Sequence, residues 1–142
     1  MSETRQERHP AQTMKRQATQ VRTLIVDDQE PFLDALRRLI AAVPGFVVAG
    51  EACCGEDALV IVDEVAPQLV LMDVRMPGMG GVQAARSLSV SHPDVMVVLI
   101  SVHGQEELPD ALVDGDGPAT FVHKENLRPP MLRELWEHRR SG

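Results

Sequence analysis

The sequence predicts an α/β fold: five βα units wound into a doubly wound parallel sheet with helices on both faces. Two observations carry that prediction. Short apolar runs alternate along the chain with longer segments of helical spacing, and the runs are apolar enough to be buried on both sides. Composition adds a third. Aromatic residues are only 3% of a chain that is 44% hydrophobic, so the core must be built from Val, Leu, Ile, Ala and Met. At 142 residues the chain has room for one domain of ordinary size.

The strand candidates, in order, are RTLIVD (22–27), FVVAGE (46–51), LVLMD (69–73), VMVVLIS (95–101) and ATFVHK (119–124). Between the first two, Phe32, Leu36, Leu39, Ile40 and Val43 form one helical stripe that stops before Pro44-Gly45. The second helix, 56–66, follows Gly55 and is apolar around much of its surface (Ala58, Leu59, Ile61, Val62, Val65), which predicts extensive cover. The third, 82–91, carries Val82, Ala85 and Leu88. A weak fourth starts at Leu108 or Pro109 and ends before Gly115, because proline is tolerated in the first turn and not inside a helix. The fifth begins near Pro130, with Leu132, Leu135 and Trp136 on one face. Its basic end, His138-Arg139-Arg140, suits a helix C-terminus.

Residues 1–21 read as a disordered basic tail ahead of a domain spanning 22–140. The net charge of -7 is unevenly spread: residues 1–22 hold five basic and two acidic side chains, leaving nine basic and nineteen acidic beyond them. So acidic a domain does not make clustered phosphate contacts, which excludes direct nucleic-acid binding by it. No apolar run is long enough to span a membrane, and the start has no secretory pattern. Cys53 and Cys54 are adjacent and read as reduced thiols of a cytoplasmic protein, packed near the second strand and without the companions of a zinc site. His92, His123 and His138 read as surface residues.

The candidate site comes from the strand ends. In a doubly wound sheet, ligands bind at the carboxyl edge of the strands, where the strand order switches. The third run ends in Asp73 and the first in Asp27-Asp28, and these strands are neighbours. Three carboxylates would repel one another unless a cation sat among them, and hard oxygen donors with room for water suit Mg²⁺. Ser101 ends the fourth run and Lys124 the fifth. Taken singly, each has a structural reading: Asp27-Asp28 as a helix N-cap pair, Asp73 as turn chemistry, Ser101 as a strand-end hydroxyl, Lys124 as a solvated charge. Joined in this order on successive strand ends, they favour the functional one.

As a set, Asp27-Asp28, Asp73 followed by RMPGMGG, Ser101 and Lys124 resemble the response-regulator receiver domain of two-component signalling, over residues 22 to about 139. The resemblance implies a flavodoxin-like sheet of order 2-1-3-4-5. It implies Asp73 as phospho-acceptor, and Mg²⁺ held directly by Asp28, Asp73 and the Arg75 carbonyl, with Asp27 helping through water. Ser101 would hydrogen-bond the phosphoryl group, Lys124 would pair with its charge, and Phe121 would be the aromatic that swings inward as Ser101 moves. Lacking a hydroxyl, Phe121 is expected to favour the inward state even without phosphate. The family also implies a sensor histidine kinase as partner, a homodimer through the face of the fourth helix, fifth strand and fifth helix, and no enzymatic activity beyond its own phosphotransfer and autodephosphorylation.

HPDVMVVLIS and FVHKEN are similar to receivers that precede helix-turn-helix domains of the LuxR/NarL type, so the chain is either a stand-alone receiver or the N-terminal domain of a DNA-binding transcriptional regulator. Glu125 follows the lysine where many receivers have a cis proline, and a trans bond is expected there, since cis before glutamate costs about 2.5–4 kcal/mol. Val102 stands where a small residue is common, and LPDALVDGDGPAT is a poor helix former. These departures keep a second reading open, a receiver fold used as a phosphorylation-independent interaction module. An aspartyl phosphohydrolase is disfavoured, because Arg75 stands where its second acid would be.

Overall fold

The computed structural model describes residues 20–102 and 119–141. Within them the order is β1 (Val21–Val26), α1 (Glu30–Ala41), β2 (Phe46–Ala52), α2 (Gly55–Val65), β3 (Leu69–Asp73), α3 (Gly81–Ser91), β4 (Met96–Ser101), β5 (Thr120–His123), a 3-10 turn (Lys124–Asn126) and α4 (Pro129–Ser141). The five strands form one parallel sheet of order β2-β1-β3-β4-β5. That is the 2-1-3-4-5 order expected. β1 begins at Val21, one residue inside the stretch assigned to the tail, and Lys124 opens the 3-10 turn instead of ending β5. The fourth predicted helix lies outside the described residues, and α4 is the fifth.

Strand side chains alternate between two cores, as the period of two requires. On one face Leu24, Val26, Val70, Met72, Val97 and Leu99 pack with Ala58 and Val62 of α2 and Ala84, Ala85 and Leu88 of α3. On the other, Ile25, Leu69, Leu71, Val98 and Ile100 pack with α1 and with Leu132 and Trp136 of α4. Phe46 and Trp136 meet edge to face, centroids 6.3 Å apart, a favoured aromatic geometry. Leu69 to Met72 are fully buried, so the double burial predicted for the third run is what the fold delivers.

The α1 stripe needs correction. Leu33, Leu36 and Ile40 face the core, and Val43 is buried just beyond the helix end. Phe32 is instead only half-buried, turned toward the carboxyl edge of the sheet. His92 is not a simple surface residue: its Nε2 lies 2.8 Å from Asp63 Oδ1, joining the ends of α2 and α3. No described peptide bond is cis, so the bond after Lys124 is trans, as expected.

Candidate functional site

Asp73 is the first residue of β3 to escape burial, after four that are fully enclosed. The parallel pairing runs one residue past it, Val74 N–H donating to Ile100 O at 2.9 Å, and Gly81 N–H then donates to Val74 O at 2.9 Å. The seven-residue connection from β3 to α3 (74–80) therefore closes on itself beside the carboxylate. A Cβ on Gly81 would run into the Asp73 carbonyl and meet Leu99, so only glycine lets α3 start this close. Across the loop, Glu56 Oε2 accepts from Met79 N–H at 3.1 Å, and Gly55 N–H donates to Met79 O at 3.2 Å. The first turn of α2 thus grips the loop that follows Asp73.

The structure brings Asp27, Asp28 and Asp73 together, with one carboxylate oxygen from each within 4.8 Å of the others. Asp27 is buried, 3% exposed, and Asp28 is exposed. Among the described residues the buried polar side chains are Thr23, Asp27 and Ser101, and two of these three sit at this edge. Asp27 Oδ1 accepts from Gln29 N–H at 3.0 Å, which fixes its orientation. Glu51, at the end of β2, does not join the cluster: Arg37 of α1 takes it in a two-pronged pair, Nε–Oε2 2.5 Å and Nη2–Oε1 2.8 Å. That capture holds the Glu51 carboxyl below its usual range.

Electrostatics follow from enclosure. Burial, then the charge of Asp27, pushes the Asp73 carboxyl up to about 6, with Lys124 opposing. Burial likewise raises Asp27 against the hydrogen bond from Gln29 and the charge of Lys124. Lys124 is pushed down by burial and pulled back by Asp27 and Asp73. Its ammonium nitrogen lies over the Phe32 ring, 2.8 Å from the centroid, a cation–π contact at the mouth of a small cavity shared by Asp27, Leu36, Ile100 and Leu127. Phe121 is half-buried against the core that α2 and α3 cover, Arg75 is exposed on the loop, and Val102 stands exposed just past Ser101. A cation fits this site on the structure's own terms: every donor is a hard oxygen, and the burial and mutual repulsion that hold Asp27 and Asp73 up in pKa are what a divalent ion relieves.

Sequence reasoning missed two features. The helical stripe groups Phe32 with Leu36 and Ile40, although its position four residues after Asp28, one helical turn on, is a signal that it lies near the acids. The cysteines do have a companion: Asp57 places a carboxylate oxygen within 4.8 Å of both sulfurs. The signal was the CCGED spacing, which sets Asp57 three residues after Cys54 at the start of a helix.

A five-stranded parallel sheet of this order, with acids at the ends of β1 and β3, a hydroxyl on β4 and an ammonium after β5, defines a phosphoacceptor-type signalling domain. The model of the response regulator receiver domain matches residues 23–135, and the chain belongs to that family. It is similar to response regulator GacA of Pseudomonas aeruginosa, 39% identical over 104 residues, which are 73% of this chain and 48% of the relative. To response regulator UvrY of Escherichia coli it is 38% identical over 104 residues, 73% of this chain and 47% of the relative. The chain therefore spans about half the length of the curated relatives it matches. Among solved structures it resembles a LuxR-family two-component response regulator from Aurantimonas sp. SI85-9A1, with TM-score 0.70 and 27% identity over 84% of each chain. It also resembles a chain of the CheX-CheY-BeF3-Mg complex from Borrelia burgdorferi, with TM-score 0.70 and 27% identity over 82% of this chain and 87% of that one. Receiver domains generally use Mg²⁺ at an acidic pocket and act with sensor histidine kinases. Among the described residues no helix is long and apolar enough to cross a membrane.

Proposed function

We propose that this chain is the phosphoacceptor receiver of a two-component phosphorelay, with Asp73 as the residue phosphorylated. The observation that carries this reading is the convergence of Asp27, Asp28 and Asp73 beside the Lys124 ammonium at the carboxyl edge of the sheet. A carboxylate oxygen of Asp73 attacks the phosphorus of the donor, and the bond to the donor's leaving group breaks. Phosphoryl transfer asks the protein mainly for positioning and charge stabilisation. Asp28, Asp73 and the Arg75 carbonyl would hold Mg²⁺, with Asp27 acting through water, and the ion when bound would neutralise the charge gathered on the phosphoryl oxygens.

The Ser101 hydroxyl donates to one phosphoryl oxygen, and Lys124 leaves the Phe32 ring to pair with another. A phosphoryl group brings roughly -1.5 to -2 of charge, so both movements have a strong electrostatic cause. Ser101 moving toward the phosphate vacates space into which Phe121 shifts, altering the surface near β5. That surface would mediate homodimerisation, a sensor histidine kinase would be the donor, and the domain would act in the cytoplasm as the receiver of a DNA-binding transcriptional regulator. Its own chemistry is limited to phosphotransfer and autodephosphorylation. Intact mass after incubation with Mg²⁺ and acetyl phosphate tests the proposal. One added phosphoryl group on the wild type and none on Asp73→Asn is expected; no addition to the wild type with a cognate kinase also supplied overturns it and turns the reading to a phosphorylation-independent module.

A further inference from the structure

The turn between β2 and α2 assembles a second group of potential ligands on the same edge of the sheet. Cys53 Sγ donates to Asp57 Oδ2 at 3.2 Å, and Cys54 Sγ accepts from Asp57 N–H at 3.4 Å. One ligand atom from each of the three residues lies within 4.8 Å of the others, and both cysteines are free thiols. The cause is local. Cys54 is the N-cap of α2 with extended backbone (φ -161°, ψ 170°), so its sulfur folds back over the first helical turn, where Asp57 sits three residues on.

We propose that Cys53, Cys54 and Asp57 bind a thiophilic divalent cation of the zinc class, with water as the fourth ligand. Two thiolates and a carboxylate are donors that zinc takes, at roughly 2.3 Å for sulfur and 2.0–2.2 Å for oxygen. Around a tetrahedral ion such donors stand about 3.5 Å apart by that geometry, and the observed sulfur–oxygen separation of 3.2 Å is already close to it. The proton that Cys53 shares with Asp57 occupies the place of the ion. Binding releases both thiol protons to solvent and leaves the complex with one net negative charge, at a helix N-terminus where negative charge is favoured. Cys53 is exposed, so the ion has a path in. The neighbouring acid, Glu56, accepts from Met79 N–H and also touches Cys54, but Asp57 is the carboxylate grouped with both sulfurs within 4.8 Å. Soft donors here and hard oxygens at Asp27, Asp28 and Asp73 give the two sites different cation preferences.

The test is a Co²⁺ titration of the reduced full chain, followed by near-ultraviolet thiolate-to-cobalt charge transfer. The chain has two cysteines, so this band reports on them alone, whatever Co²⁺ does at the acid site. One equivalent is expected to generate the band and one equivalent of Zn²⁺ to abolish it. Cys53→Ser and Cys54→Ser are each expected to lose it, Asp57→Asn to weaken binding, and Asp73→Asn to leave it intact. The exposed position of Cys53 and the capping ability of serine at position 54 keep both serine variants folded, which circular dichroism verifies. No band on the wild type, a band that survives Cys53→Ser at unchanged affinity, or one ion shared by two chains would each overturn the proposal.

Discussion

Two three-residue clusters occupy neighbouring strand ends and differ in how they carry charge. Asp27, Asp28 and Asp73 lie at the ends of β1 and β3, where the core rises almost to the carboxylates, while Cys53, Cys54 and Asp57 lie at the end of β2 in a turn open to solvent. In the first, like charges share a partly enclosed space, and Asp73 is held up to about 6. In the second, a thiol proton lies between sulfur and carboxylate, and solvent screens the rest. Enclosure, more than the number of acids, decides whether a strand end stores electrostatic strain that a cation or phosphoryl group releases.

The comparison breaks most violently at Gly81. A side chain there meets the Asp73 carbonyl and Leu99, so Gly81→Val should push α3 away from the acid cluster. Overpacking of this kind costs about 1–3 kcal/mol or more. Urea denaturation should show the lower midpoint, and acetyl phosphate labelling should fall with it. A stable variant that labels normally would mean that the close start of α3 does not position Asp73.

Asp73→Asn probes stored repulsion directly. Asp73 binds its proton more tightly in the folded protein, near 6, than at its ordinary value of 3.8. The stability this contributes is therefore full below about 3.8 and is lost as pH rises through about 6. At pH 7.5 without divalent ions the wild type bears the whole penalty, and the neutral amide should stabilise by roughly 1–3 kcal/mol. A thermal melt should show a rise of several degrees that narrows when Mg²⁺ is added, because the ion relieves the wild type. A lower melting temperature for the variant would contradict the electrostatic account.

The sheet and most of the acid cluster were legible because they depend on one-dimensional signals. Unbroken apolar runs such as LVLM demand burial on both faces, and the residue at which a run stops marks the sheet's edge, which is how Asp73 and Asp28 were found. Phe32 and Asp57 were not legible in the same way. Which turn of a helix faces the core depends on how the helix is rotated about its axis, and a shift of one residue moved Phe32 from the core to the Lys124 ammonium while Leu33 took its place. Asp57 became a neighbour of the thiols through the N-cap geometry of Cys54, a tertiary detail of one turn. The Arg37–Glu51 pair, which removes the β2 acid from the site, joins residues 14 apart on elements whose relative rotation the pattern does not encode.

A smaller effect is expected from Phe32→Leu. The ring lies under the Lys124 ammonium in the unphosphorylated protein, and partly desolvated cation–π contacts are worth about 1 kcal/mol. The ε-methylene proton signals of Lys124 should be shifted upfield by the ring in the wild type and should return to ordinary positions in the leucine variant. Adding acetyl phosphate and Mg²⁺ should produce the same return in the wild type, as the ammonium transfers to the phosphoryl group. Unchanged signals in Phe32→Leu would place the lysine elsewhere in solution.

Asp57→Asn is the smallest change and the sharpest control, because it repeats the Asp73 substitution in the open cluster. Asp57 stands in the first turn of α2, where a negative charge interacts favourably with the helix dipole. Glu56 repels it only weakly, across solvent and not in an enclosure like that shared by Asp27 and Asp73, and the Asp57 carboxylate accepts from the Cys53 thiol while its backbone N–H donates to Cys54 Sγ. Removing the charge should therefore lower stability slightly, by about 0.5 kcal/mol, typical of a surface dipole interaction. In metal-free buffer at pH 7.5 the two identical substitutions should move the melting temperature in opposite directions, Asp73→Asn upward and Asp57→Asn slightly downward, and Mg²⁺ should shift the Asp57 variant as much as the wild type. If both variants instead gained stability, charge repulsion would extend over the whole edge of the sheet, and the distinction between an enclosed acid site and an open thiol site would fail.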